Sequence, residues 1–106
     1  MNIQKIQDYC IQSKMKWYKH ALERMQERDI SRQDVKNCIM QGEIIEDYPD
    51  DFPHPSCLIF GRTMDQKVIH VVVSLDEDQD TIGIITVYYP SVEKFEKDLK
   101  TRKVRK

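Results

Sequence analysis

The sequence predicts an α+β domain in which N-terminal helices precede a four-stranded antiparallel sheet and a short C-terminal helix. Three observations carry that prediction. Up to Gly42 the apolar residues recur three and four apart, the spacing of one helix face. From Glu43 to Tyr89 their period falls to two. The runs of period two are joined by short links, which suit antiparallel neighbours and are too short for crossovers.

Ile3, Ile6, Cys10 and Ile11, with Tyr9 alongside, mark a first amphipathic helix over residues 2–12. A second is expected at about 15–28, where Trp17, Ala21 and Met25 share a stripe that Tyr18 and Leu22 widen. His20 and Arg24 border that stripe and Arg28 falls within it. Three polar groups thus lie where the helix meets its packing partner. Asp29-Ile30 breaks the helix, and Ser31 with Asp34 forms a capping-box-like S-x-x-D for a third helix. Val35, Cys38 and Ile39 are its buried stripe and Gly42 its C′ stop.

Strands are expected at Glu43–Tyr48, Ser56–Arg62, Lys67–Leu75 and Thr81–Tyr89. In the third, Ile69, Val71, Val73 and Leu75 share one face, while Val68, His70, Val72 and Ser74 share the other. Pro90 ends the last strand, and Ser91 caps a final helix to about Leu99, anchored by Phe95 and Leu99. The basic tail, Thr101–Lys106, is expected to fray.

With 106 residues the chain makes one domain, its core at about 15–98. A hydrophobic share of 40% against 33% charged residues is ordinary for a soluble globular protein, and no apolar run approaches a membrane span. The amino end lacks a secretory pattern, so a cytoplasmic protein is expected. Cys10, Cys38 and Cys57 are odd in number and far apart, which suits buried thiols and not a disulfide framework. His54 and Cys57 make an isolated H-x-x-C, so no metal site and no cofactor are expected.

Charge is unevenly spread. Residues 1–42 hold 8 Lys/Arg against 5 Asp/Glu, residues 43–90 hold 2 against 10, and residues 91–106 hold 7 against 3. A basic front and tail beside an acidic middle suit one cationic face, although a net charge of −1 does not suit strong general nucleic-acid binding.

Several chemistries are excluded. Asp76-x-Asp78-x-Asp80 begins like a calcium loop, but Thr81 stands where glycine is needed and Val87 where the bidentate glutamate belongs, so a solvated hairpin tip is the reading. Three glycines cannot build a phosphate loop, and no serine sits in a G-x-S-x-G elbow. What remains is a polar set able to converge beside the sheet: His20, Arg24 and Arg28 from the second helix, His70 from the third strand, Thr86 and Tyr88 from the fourth. Such a set could cleave RNA without a metal. Histidine can move protons near neutral pH, arginine matches phosphate oxygens, and tyrosine can stack on a base or donate its hydroxyl. Equally, a strand histidine can be a hydrogen-bonded core residue, and Arg24 and Arg28 can pair with Glu23, Glu27 or Asp47.

The blocks H-A-L-E-R-M-Q-E-R-D-I-S (His20–Ser31), G-E-I-I-E-D-Y-P (Gly42–Pro49), P-S-C-L-I-F-G (Pro55–Gly61), V-I-H-V-V-V (Val68–Val73) and I-I-T-V-Y-Y-P (Ile84–Pro90) resemble an uncharacterised bacterial and archaeal domain-of-unknown-function family. The resemblance covers about residues 15–98. Genes of that family often stand beside a small zinc-ribbon protein resembling MqsA (YgiT-type) antitoxins, and the family is distantly similar to RelE/MqsR-type messenger-RNA-cleaving toxins. The resemblance implies a RelE/MqsR-like fold, a type II toxin component acting on RNA, and a zinc-ribbon antitoxin as partner. Asp29 departs from the family's common R-G-I-S, and aspartate tolerates the left-handed turn that glycine would make there.

Two functions are therefore expected to compete. One is a metal-independent endoribonuclease in which His20 and His70 are acid and base, Arg24, Arg28 and Thr86 hold phosphate, and Tyr88 lies by the base or leaving group. The other is a non-enzymatic interaction module whose polar groups tie helix to sheet. The first requires His20, Arg24, His70 and Tyr88 to open onto one cleft.

Overall fold

The structure is a computed structural model and describes residues 1–104. Three helices, α1 (Ile3–Ile11), α2 (Lys19–Glu27) and α3 (Arg32–Gln41), pack on one face of a five-stranded mixed sheet. Its strands are β1 (Met15–Trp17), β2 (Glu43–Tyr48), β3 (Ser56–Arg62), β4 (Val68–Asp76) and β5 (Thr81–Tyr88), in spatial order β1-β5-β4-β3-β2. The four expected strands form an antiparallel meander.

The fifth strand corrects the expectation of four. Met15–Trp17 was expected to open the second helix, but it runs parallel to β5 and pairs with Ile82–Ile84. Trp17, Ala21 and Met25 keep helical spacing across the junction, so periodicity alone hides the boundary. The reason for the strand is non-local. The bare edge of β5 offers partners to this segment, beginning with Ile82 N–H donating to the Lys14 carbonyl at 3.0 Å. Tyr18 then has extended backbone, and the helix starts at Lys19.

The second correction concerns the C-terminus. Ser91 does start a turn, with Phe95 N–H donating to the Ser91 carbonyl at 2.9 Å, but no helix to Leu99 follows. The chain doubles back, Phe95 bridges Arg102, and Lys103 N–H donates to the Lys94 carbonyl at 2.9 Å. Leu99 takes a left-handed φ of 59° at the reversal. Phe95 is the expected anchor, whereas Leu99 acts through its carbonyl, which meets His70. Within the basic tail Arg102 is docked on Glu46; Arg105 and Lys106 lie outside the described residues.

Other local expectations hold. Ser31 and Asp34 make a full capping box, with Asp34 N–H donating to Ser31 Oγ at 3.0 Å and Ser31 N–H to Asp34 Oδ2 at 2.9 Å. Asp29 carries φ 56°, the turn in which glycine is common. Gly42 ends α3 in extended backbone, so left-handed geometry is not what it supplies. A Cβ there would run into the Cys38 and Phe60 carbonyls, and close approach of α3 to β3 is the reason for glycine.

The main core lies between the helices and the inner sheet face. Ile69, Val71, Val73 and Leu75 of β4 point into it together, as their alternation predicts, and meet Ile6, Cys38, Ile39 and Met25. Among the described residues no helix is long and apolar enough to cross a membrane.

Candidate functional site

The opposite sheet face is built differently. Cross-strand pairing places Phe60, His70 and Tyr88 in one row, and Glu46, Leu58, Val72 and Thr86 in the next. Residues 91–104 lie over these rows as a strap. Phe95, fully buried, sets its ring edge-on to His70 with centroids 4.7 Å apart. Lys100 pairs with Glu43 at 2.7 Å and sits over the Phe60 ring. Arg102 grips Glu46 with two bonds of 3.0 Å and covers Phe95. The Tyr48 hydroxyl donates to the same carboxylate.

At one end of the strap lies a hollow of about 570 Å³. β1 pairs only with Ile82–Ile84, so the remainder of β5 has no strand on that side. Its floor is Thr86, Val87, Tyr88 and Tyr89; α2 contributes His20, Arg24 and Arg28, and the strap contributes Ser91, Lys94, Phe95 and Arg102. His20 and Arg24 share a wall because they are four residues apart on one helix. Arg28 is the C-cap of α2 and continues the line. No carboxylate lines the hollow among the described residues. The two that touch its cations are held outside it: Glu27 pairs with Arg24 at 3.1 Å and Arg28 at 3.5 Å, and Glu46 holds Arg102.

Five of the six expected site residues therefore meet: His20, Arg24, Arg28, Thr86 and Tyr88. His70 does not join them. It is 0% exposed, enclosed by Phe60, Tyr88 and Phe95, and both ring nitrogens are occupied. Nε2 lies 2.6 Å from the Leu99 carbonyl, and Nδ1 lies 3.2 Å from the Tyr88 hydroxyl. The expectation that both imidazoles open onto one cleft is corrected, because the strap closes over the strand histidine.

Electrostatics follow from these contacts. Burial lowers the His70 pKa, against the pull of the Leu99 carbonyl and Glu46, so the ring is neutral at pH 7. The Arg102 fork is the main reason the Glu46 carboxyl lies below the ordinary range. Burial, and then the bond to Glu46, push the Tyr48 phenol up to about 12. Burial raises Cys38 and Cys57 to about 12, so both thiols stay protonated and unreactive. Among the described residues no three His, Cys, Asp or Glu side chains are grouped as a metal ion would need.

Lys94, Arg102 and Tyr89 are hollow residues that sequence reasoning missed. The excess positive charge after Pro90 was the available signal, but an expected helix would have pointed those cations to solvent. Arginine-rich, carboxylate-free walls beside phenol rings can hold a phosphodiester and a stacked base, and His20 can exchange a proton with either.

No curated protein and no solved structure matches the chain. One family does, over a segment that begins at the last residue of β1, carries α2, α3, β2–β5 and the hollow floor, and ends before the strap. By that match the chain belongs to the family described as Domain of unknown function (DUF4258), whose model covers residues 17–89.

Proposed function

We propose that the hollow binds single-stranded RNA and, because the expected two-histidine acid–base pair is lost with His70 sealed, cleaves it without a metal through His20 and Tyr88, as the toxin component of a type II toxin–antitoxin pair whose partner is a zinc-ribbon protein. The observation that carries the RNA reading is the convergence of His20, Arg24, Arg28, Lys94 and Arg102 with Tyr88 and Tyr89 on one carboxylate-free hollow. The partner and the RelE/MqsR-like kinship rest on the family resemblance alone.

Cleavage would proceed by attack of the ribose 2′-oxygen on the adjacent phosphorus, forming the P–O2′ bond and breaking the P–O5′ bond. The arginines and Lys94 offset the charge that gathers on the phosphoryl oxygens. His20 in its protonated form gives the leaving 5′-oxygen its proton. Tyr88 takes up the 2′-hydroxyl proton as it gives up its own, and Thr86 and Tyr89 hold the sugar and base.

The test is purified protein incubated with single-stranded RNA in excess chelator. Fragments ending in 2′,3′-cyclic phosphate are expected, with His20→Ala slowing their release by about 10²-fold or more. Intact RNA at every protein concentration, together with normal growth on expression, would overturn the reading. A second reading, a non-enzymatic interaction module, is favoured by one specific feature: Glu27 and Glu46 already satisfy three of the hollow's guanidinium groups. It predicts the second outcome.

A further inference from the structure

The sealed imidazole has a route to the hollow. It rests on the reading of the hollow as a phosphate and RNA site, and it starts from hydrogen-bond bookkeeping. The Leu99 carbonyl can only accept, so His70 Nε2 carries a hydrogen. A neutral ring with that hydrogen has a lone pair on Nδ1, and the Tyr88 hydroxyl 3.2 Å away must donate to it. Tyr88 then turns only lone pairs towards anything else. Were Nδ1 protonated, it would become the donor, and the Tyr88 hydrogen would be free to turn away. Among the described residues, only Tyr88 both lines the hollow and hydrogen-bonds this ring.

We propose that His70 and Tyr88 form a two-membered proton relay, in which the buried imidazole sets whether Tyr88 offers the hollow a lone pair or a proton. During cleavage the 2′-hydroxyl would pass its proton to the Tyr88 oxygen as the Tyr88 proton moves to His70 Nδ1. Tyr88 ends neutral, His70 ends as imidazolium, and the proton returns through Tyr88 to water once product leaves. His70 is thus a positioning residue that stores the proton, and Tyr88 touches substrate.

The surroundings suit both states. Phe60 from β3 and Phe95 from the strap exclude water, and the Leu99 carbonyl accepts from Nε2 whether or not Nδ1 is charged. Glu46 from β2 is the carboxylate that acts on the imidazolium, Tyr48 and Arg102 share that carboxylate, and Arg102 opposes protonation. Burial keeps the ring uncharged at rest, the form that can accept.

The experiment uses the full chain with ¹⁵N-labelled histidine, inorganic phosphate as probe, and the Tyr88→Phe variant. In the free protein at neutral pH, His70 should carry its hydrogen on Nε2 and a lone pair on Nδ1. Phosphate calls for a donor from Tyr88, so it should raise the His70 titration midpoint by about one pH unit. In Tyr88→Phe that rise should fall below about 0.3 of a unit, while the His20 ring still reports bound phosphate. A hydrogen on Nδ1 in the free protein would overturn the relay, as would an equal rise in both proteins, which a direct field effect would give. Phosphate bound with His70 unmoved overturns the relay alone. No response of His20 or any other hollow residue to phosphate overturns the phosphate reading and the relay with it.

Discussion

The two faces of the sheet are held by different physics. On the helix side, branched aliphatic residues of β3, β4 and β5 meet apolar stripes of three helices, and contact is non-directional. On the strap side, one buried phenylalanine is surrounded by directional contacts: Leu99 to His70, Arg102 to Glu46, Lys100 to Glu43. The helix face needs only residues of the right size at the right period. The strap face needs each partner in register. That makes it the easier side to loosen and the side on which His70 and Tyr88 meet the cationic hollow.

The comparison can be broken most forcefully at Phe95. Phe95→Ala should cost about 3–5 kcal/mol in denaturant unfolding, and the Glu96 and Lys103 amides should lose exchange protection before the β4 amides do. Loss spread evenly over both faces would show that strap and helices unfold as one unit. On the helix side, Ser31→Ala should remove the α3 cap for about 1 kcal/mol, measured by the same unfolding, without loosening the strap. Arg102→Ala should cost less, about 0.5–1 kcal/mol, because the fork to Glu46 is half exposed. Its signature is the Glu46 carboxyl, which should titrate closer to the ordinary 4.5 once the guanidinium is gone.

The smallest effect sharpens the comparison through pH. His70 has a lowered pKa in the fold, so below the ordinary 6.5 the unfolded chain binds this proton more readily than the native state does. Its contribution to stability is intact above 6.5 and is lost as pH falls from there towards the folded value. Glu46 acts at lower pH still. Its depressed carboxyl stabilises the fold above 4.5, and that support is lost as pH falls through its folded value. Unfolding measured from pH 7 to pH 5 should show the His70 slope, and the slope should vanish in His70→Gln.

The helix face was legible in the sequence because periodicity reports it directly. Ile69, Val71, Val73 and Leu75 could be placed together, and Ser31 and Asp34 announced their cap. Met15–Trp17 was not legible, since its strand exists only because β5 is bare there, a fact some 65 residues away in the chain. The strap was misread for the same reason. Ser91 begins as a helix would, and the competing pulls of His70 on Leu99 and of Glu46 on Arg102 lie on other strands. Of the site, the α2 wall and the β5 floor followed from spacing. The sealing of His70 did not, because it depends on that unread strap.

The salt dependence of binding to a single-stranded oligoribonucleotide tests the cationic hollow most directly. With four guanidinium and ammonium groups contributing, log affinity against log salt should fall with a slope of about −2 to −3, and Lys94→Ala should flatten it by about 0.7. A slope near zero, or one that Lys94→Ala and Arg24→Ala leave unchanged, would mean that RNA does not enter this hollow.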